Sequence, residues 1–213
     1  MNATFRLSRR RAALYDAKGR YFSAADRRWV PEAAPTDTAG FEPVDVIGAC
    51  TWLQRESGHP LRVPIAVIGP RDASDAQRAA AFAVGEGLGR CGLYVICGGR
   101  HGVMQSVCEG VARGGGVSIG LLPDPDPALA NAFVTIALAT GIGEARNALI
   151  ARAAFCLVAI GDSFGTLSEV ALGRQFGKRV IALEGAAEVA GVERVDTATA
   201  AVLRVAEAVL ALG

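Results

Sequence analysis

Histidine is nearly missing from this chain of 213 residues: only His59 and His101 occur, too few for a Ser-His-Asp triad or a histidine-bearing metal cluster. No metal site is therefore expected. The five cysteines (Cys50, Cys91, Cys97, Cys108, Cys156) are odd in number and form no C-x-x-C, which argues against a disulfide framework or a zinc site. Buried free thiols are the expected state. Aromatic residues reach only 6%, and no apolar stretch free of charges and turn residues is long enough to span a bilayer. The segment MNATFRLSRRR has no apolar run after its basic cluster, so we expect a cytoplasmic protein without a membrane partner. There is no G-x-x-x-x-G-K-[ST], and the loop GPRDAS after the first long apolar run is not G-x-G-x-x-G. P-loop chemistry and ordinary NAD binding are thus disfavoured.

What is present is apolar residue, at 51%, and 26 glycines, a mixture that suits a loop-rich α/β protein able to bury a substantial core. The net charge of +1 is unevenly spread: residues 1–30 hold eight Lys/Arg against Asp16 and Asp26, so they carry +6 and the remainder −5. Such an asymmetry fits either a basic nucleic-acid arm or a solvated hairpin. Residues 1–60 read as an extension. In it, ALYDAKGRYF predicts two short strands turning at Gly19, and WVPEAAPTDTAGFEP is a Pro-rich connector. Pro43 then suits the first turn of a helix whose Val44, Ile47, Thr51 and Trp52 share a face, with Gly58 as its stop.

Residues 61–213 read as the main domain. Its apolar runs VPIAVIG, LYVICGG, VSIGLLP, FVTIALA, FCLVAIG and RVIALEG are nearly continuous, as parallel strands covered on both faces require. Helical stretches over 73–90, 102–113, 144–153, 166–176 and 199–212 separate most of them and close the chain. This alternation predicts an α/β fold with a doubly wound parallel sheet and helices on both faces, whose ligands bind beyond the carboxyl ends of the strands.

Glycine stands at nearly all of those ends. Gly69, Pro70 and Arg71 follow the first run; Gly98, Gly99, Arg100, His101 and Gly102 follow the second; Asp162, Ser163, Gly165 and Thr166 follow FCLVAI. A glycine there lets a ligand approach backbone N–H groups, and the helix that follows points its positive dipole end at the same spot. Three such turns could ring one anion, or the glycines could simply permit tight turns.

The blocks VPIAVIGPRDAS, VICGGRHGVMQSVCEG and TGIGEARNALIARAAFCLVAIGDSFGTLSEVALGRQFGKRVIAL resemble, in order, the Rossmann-like superfamily that includes the Lonely Guy (LOG) phosphoribohydrolases, often mislabelled lysine decarboxylases. Within it the chain is most similar to the branch of molybdenum cofactor carrier proteins and their uncharacterised relatives. The resemblance runs from about Leu61 to Leu183 and leaves out the extension. LOG enzymes carry P-G-G-x-G-T-x-x-E, and the carriers are similar to G-G-G-x-G-T-x-S-E. This chain keeps Gly165, Thr166, Ser168 and Glu169 but has Asp162 and Ser163 where two glycines are expected. The resemblance implies that the Gly165 and Thr166 amides and the Thr166 hydroxyl hold phosphate, that Gly98, Gly99 and Gly102 line the same cleft, and that Glu169 and Arg146 are catalytic if the chain is an enzyme. It also implies a homo-oligomer, dimer or tetramer.

Structural alternatives stand beside these roles. TLSE can be a capping box in which Thr166 caps a helix and Glu169 reaches back. Arg146 opposes the dipole at a helix start and needs an anion, either a ligand or Glu144. Asp162 would repel a phosphate by about 1–4 kcal/mol unless a cation intervenes, so pairing with Arg71 or Arg100 is expected to hold it aside. Three functions follow. The first is a binding protein for a phosphorylated nucleotide or pterin, with no cofactor required and with molybdenum cofactor or a nucleoside monophosphate as the candidate guest. The second is hydrolysis of an N-glycosidic bond by a LOG-type enzyme, Glu169 stabilising charge on the ribose. Nucleic-acid binding through the basic arm ranks last, since its charges lack interleaved aromatics and the main domain is net acidic.

Overall fold

The computed structural model describes residues 4–31 and 39–212; part of the Pro-rich connector, residues 32–38, lies outside them. The chain divides into two compact units, one holding the described residues up to Leu61 with those from Leu203 onward, the other spanning Arg62–Val202.

The first unit is an antiparallel sheet with a helix. Its strands are β1 (Phe5–Ser8), β2 (Ala13–Tyr15), β3 (Tyr21–Ser23), β4 (Arg28–Val30) and β5 (Glu42–Val44), in the order β4-β3-β2-β1-β5, followed by helix α1 (Val46–Arg55). The hairpin between β2 and β3 turns at Gly19, φ +79°, whose amide donates to the Asp16 carbonyl at 3.0 Å. Trp29 stacks on Phe5 with ring centroids 5.5 Å apart and donates from Nε1 to the Leu210 carbonyl at 2.8 Å. Pro43 does not open the helix as expected: it sits in β5, and α1 begins after the Asp45 cap, whose side chain accepts from the Gly48 amide. β5 ends the sheet, and an edge is where a residue without an N–H fits a strand. Much of the basic charge is paired, Arg9 with Glu42 and Glu56, Arg20 with Asp16 at 2.7 Å.

The second unit is the doubly wound fold. β6 (Ile65–Ile68), α2 (Asp75–Cys91), β7 (Val95–Cys97), α3 (Val103–Arg113), β8 (Ser118–Leu122) and β9 (Ile136–Ala139) run in succession to one edge. The chain then returns through α4 (Arg146–Ala153) to β10 (Leu157–Ile160) on the other side of β6, and continues with α5 (Phe164–Gln175), β11 (Val180–Leu183), β12 (Glu193–Arg194) and the start of α6 (Ala198–Val209). All pairings are parallel, in the order β12-β11-β10-β6-β7-β8-β9. Every residue of β6 and β10 is buried. Alternate side chains explain why: Ala66, Ile68, Leu157 and Ala159 pack with Ile150 of α4 and Val170 of α5, which leaves Ile65, Val67, Val158 and Ile160 for the opposite face. There α2 and α3 touch backbone to backbone, since a Cβ on Gly110 would stand 2.1 Å from the Phe82 carbonyl oxygen.

The five cysteines are free and buried, and no helix among the described residues is long and apolar enough to cross a membrane. The direction of winding reverses between β6 and β10. That point is where such sheets open a crevice.

Candidate functional site

A cleft of about 660 Å³ opens at the carboxyl ends of β6, β7 and β10, within the usual 300–1,000 Å³ of small-molecule sites. The first turn contributes Gly69, Pro70, Arg71 and Asp72; the second gives Gly98 and, from α3, Met104; the third gives Asp162, Ser163, Gly165 and Thr166. Glu144, Arg146 and Asn147 close it from the start of α4, with Phe164, Ser168 and Glu169 from α5.

Gly99, Arg100, His101 and Gly102 do not line the cleft. Asn131 holds their turn on its far side, donating from Nδ2 to the Arg100 carbonyl at 2.9 Å, and His101 meets Gln105 at 3.3 Å. The glycines here admit protein and not ligand. A Cβ on Gly102, φ +66°, would stand 2.1 Å from the Arg71 carbonyl oxygen, and one on Gly98 would stand 2.5 Å from Arg146 Nη2. Gly165 differs, because its Cβ position meets only Asn147 Nδ2 and Ser163 Oγ, both at 3.8 Å.

The third turn caps its helix differently from the TLSE box. Ser163, not Thr166, is the N-cap: its Oγ accepts from the Thr166 amide at 3.1 Å and shares a hydrogen with Thr166 Oγ1 at 2.9 Å. The chain's own hydroxyl thus occupies both Thr166 groups that the resemblance assigns to phosphate. The amides of Phe164 and Gly165 find no acceptor among the described residues and stand at the positive end of a helix of 12 residues.

Glu169 turns away from the cap to a buried ion pair. Arg146 and Glu169 are 4% and 5% exposed, with Nη1 donating to Oε1 at 3.2 Å. Arg146 also donates to Asn147 Oδ1; Asn147 Nδ2 donates to Ser168 Oγ at 2.9 Å, and Ser168 donates to the Gly165 carbonyl at 2.7 Å. This chain ties α4 to the first turn of α5. Glu144 supplies the anion that Arg146 needs at its helix start, 3.7 Å away, while its other oxygen accepts from Arg71 at 3.0 Å. Arg146 Nε is buried without a partner among the described residues.

The expected pairing of Asp162 is overturned: Arg71 goes to Glu144 and Arg100 to Asp124, so Asp162 stays exposed at the rim. Both arginines have a carboxylate closer along their own walls of the fold. Two guanidiniums therefore face four carboxyl groups in the cleft, those of Asp72, Glu144, Asp162 and Glu169. Burial pushes the Glu169 carboxyl up to about 8, against the pull of Arg146 and with a further push from Glu144.

From an ordinary 4.5 to about 8, the folded chain keeps this proton where the unfolded chain has lost it. Stability is accordingly expected to fall as pH rises through that window and to level off above it. Melting temperatures taken from pH 5 to pH 9 should show the slope, and Glu169→Gln should flatten it.

Phe164, Asn147, Met104 and Asp72 line the cleft without having been singled out in the sequence. For Phe164 a signal existed: it is the sole large residue in a turn of small ones, G-D-S-F-G-T.

Comparison with known proteins agrees with this fold. Residues 62–211 match the SLOG cluster4 family. An uncharacterized protein of Archaeoglobus fulgidus is 34% identical over 138 residues, which cover 65% of this chain and 91% of that protein. The molybdenum cofactor binding protein of the phototrophic bacterium Rippkaea orientalis superposes with a TM-score of 0.64 at 29% identity, over 68% of this chain and 96% of that one. The molybdenum cofactor carrier protein of Chlamydomonas reinhardtii gives 0.62 at 30% identity, over 69% and 98%. With its doubly wound sheet, its cleft at the switch point and a family match over most of its length, the chain belongs to the SLOG cluster4 family.

Proposed function

We propose that the chain holds a phosphorylated pterin or nucleotide in the cleft between β6 and β10 without turning it over. Solved relatives at about 30% identity bind or carry molybdenum cofactor, a pterin phosphate. The residues present suit such a guest: the open amides of Phe164 and Gly165 would take the phosphate, and Arg146, which also lines the cleft, has a buried Nε without a partner among the described residues. Bound cofactor would bring its own metal chemistry; this chain's residues would bind it, orient it and keep water away.

The observation that carries the choice of holding over hydrolysis is the state of Glu169. A glycosidase needs a carboxylate free to stabilise an oxocarbenium-like centre. Here that carboxyl is buried, 5% exposed, and held by Arg146 Nη1 at 3.2 Å. The proposal includes assembly as a homo-oligomer, supported by the exposed Ile136 and Leu138 of edge strand β9 and Leu149 of α4.

Incubation with adenosine monophosphate should release no adenine above background, and mass spectrometry of the heat-denatured protein should show a phosphorylated pterin or nucleotide. Adenine release abolished by Glu169→Gln would overturn the reading in favour of a LOG-type phosphoribohydrolase.

A further inference from the structure

We propose that Phe164 is the platform on which the planar heteroaromatic ring of the bound phosphate ester stacks; this rests on the phosphate reading above and names the residue that would make the site prefer a ring. Phe164 is 94% exposed, whereas Phe5 and Phe22 are fully buried. It is the first residue of α5, held rigidly by the Ser163 cap behind it and by the Leu167 amide bonded to the Ser163 carbonyl at 2.8 Å. With the backbone fixed at the helix start, covering the ring freezes only two side-chain torsions, which makes it an effective contact.

Its place in the cleft selects the occupant. Phe164 is a lining residue of the same cavity as the open amides of Phe164 and Gly165, and its ring is free to turn over it. A phosphate seated on those amides therefore leaves whatever it is esterified to beside the ring. Of the carboxylates in the same lining, Glu144 is paired with Arg71 and Arg146, which leaves Asp72 and Asp162 to offer hydrogen-bond acceptors to the N–H edges of a heterocycle. Such a division, with amides for the phosphate, an aromatic face for the ring and carboxylates for its edge, fits a nucleotide or pterin monophosphate better than a sugar phosphate.

The test compares adenosine monophosphate with ribose 5-phosphate by calorimetry on the full chain and on Phe164→Ala and Phe164→Tyr, with light scattering on each. The wild-type chain should bind adenosine monophosphate about tenfold more tightly than ribose 5-phosphate. Phe164→Ala should erase most of that gap, the loss falling on the nucleotide, and Phe164→Tyr should keep it. Equal affinity of the wild-type chain for both ligands would leave the phosphate site standing and overturn the platform. A gap that survives Phe164→Ala, with a change in molar mass instead, would also overturn it and make the ring a contact between copies. Binding of neither ligand would remove the phosphate reading, and the platform with it.

Discussion

Arg146→Met is expected to destabilise the protein by about 3–5 kcal/mol, the range seen when one partner of a buried ion pair is removed. Methionine has nearly the reach to fill the space against Gly98, so little of the loss would come from a cavity; the main cost is the carboxyl left behind. Glu169, already pushed up to about 8 by burial, would lose the guanidinium that draws its pKa down and would take up a proton more readily still. The destabilisation should therefore be smaller at pH 5 than at pH 9. Adding Glu169→Leu should recover a large part of it, because two apolar side chains need no partner. Urea denaturation followed by far-ultraviolet circular dichroism is the suitable measurement, since Trp29 and Trp52 both lie in the other unit and their fluorescence would report on that one. A loss below about 1 kcal/mol, or one that does not vary with pH, would show that the pair is not the keystone of the α4–α5 contact.

Replacing both Asp162 and Ser163 by glycine is expected to tighten binding of inorganic phosphate about 100- to 1,000-fold. Ser163→Gly removes the hydroxyl that occupies the Thr166 amide and Thr166 Oγ1, and a hydrogen bond from either group to an anion contributes about 1.5–3 kcal/mol. Asp162→Gly removes an exposed negative charge from the rim, worth about 1 kcal/mol in a well-solvated setting. The change should cost the fold little, because glycine is only a few tenths of a kcal/mol poorer than serine as a cap. Titration calorimetry at constant ionic strength would read the difference. Unchanged affinity would mean that phosphate does not sit at the start of α5.

The six apolar runs became β6 to β11; burial on both faces explains the runs of β6, β7, β10 and β11, whereas β9 at the sheet edge is exposed along its whole length, a correction to the expectation that every strand is covered. β12, two polar residues long, carried no such pattern. Strands of three or four residues in the first unit were too short for alternation to declare itself, apart from the hairpin that Gly19 marks. At the cleft, the turns could be located from their glycines, but not what each glycine admits: backbone at Gly102, a guanidinium at Gly98, open space at Gly165. The helix cap was misread for a related reason. Serine is the better cap of the two, but the TLSE pattern pointed to Thr166, and Glu169, the acid that pattern would use, is held instead by Arg146, 23 positions away. Arg71 and Arg100 failed to reach Asp162 because other carboxylates took them: Glu144, brought to Arg71 by the return of the chain from β9, and Asp124, which follows β8 beside the turn that holds Arg100.

The reversal of winding beside β6 has a bearing on how such a protein changes over time. Residues 162–164 follow β10 once it has formed its ladders with β6 and β11, so substitutions at these positions touch no strand pairing. Exchange of Gly-Gly for Asp-Ser could thus be tried and kept without endangering the scaffold, and lineages sharing this sheet are free to diverge in what they hold while remaining superposable.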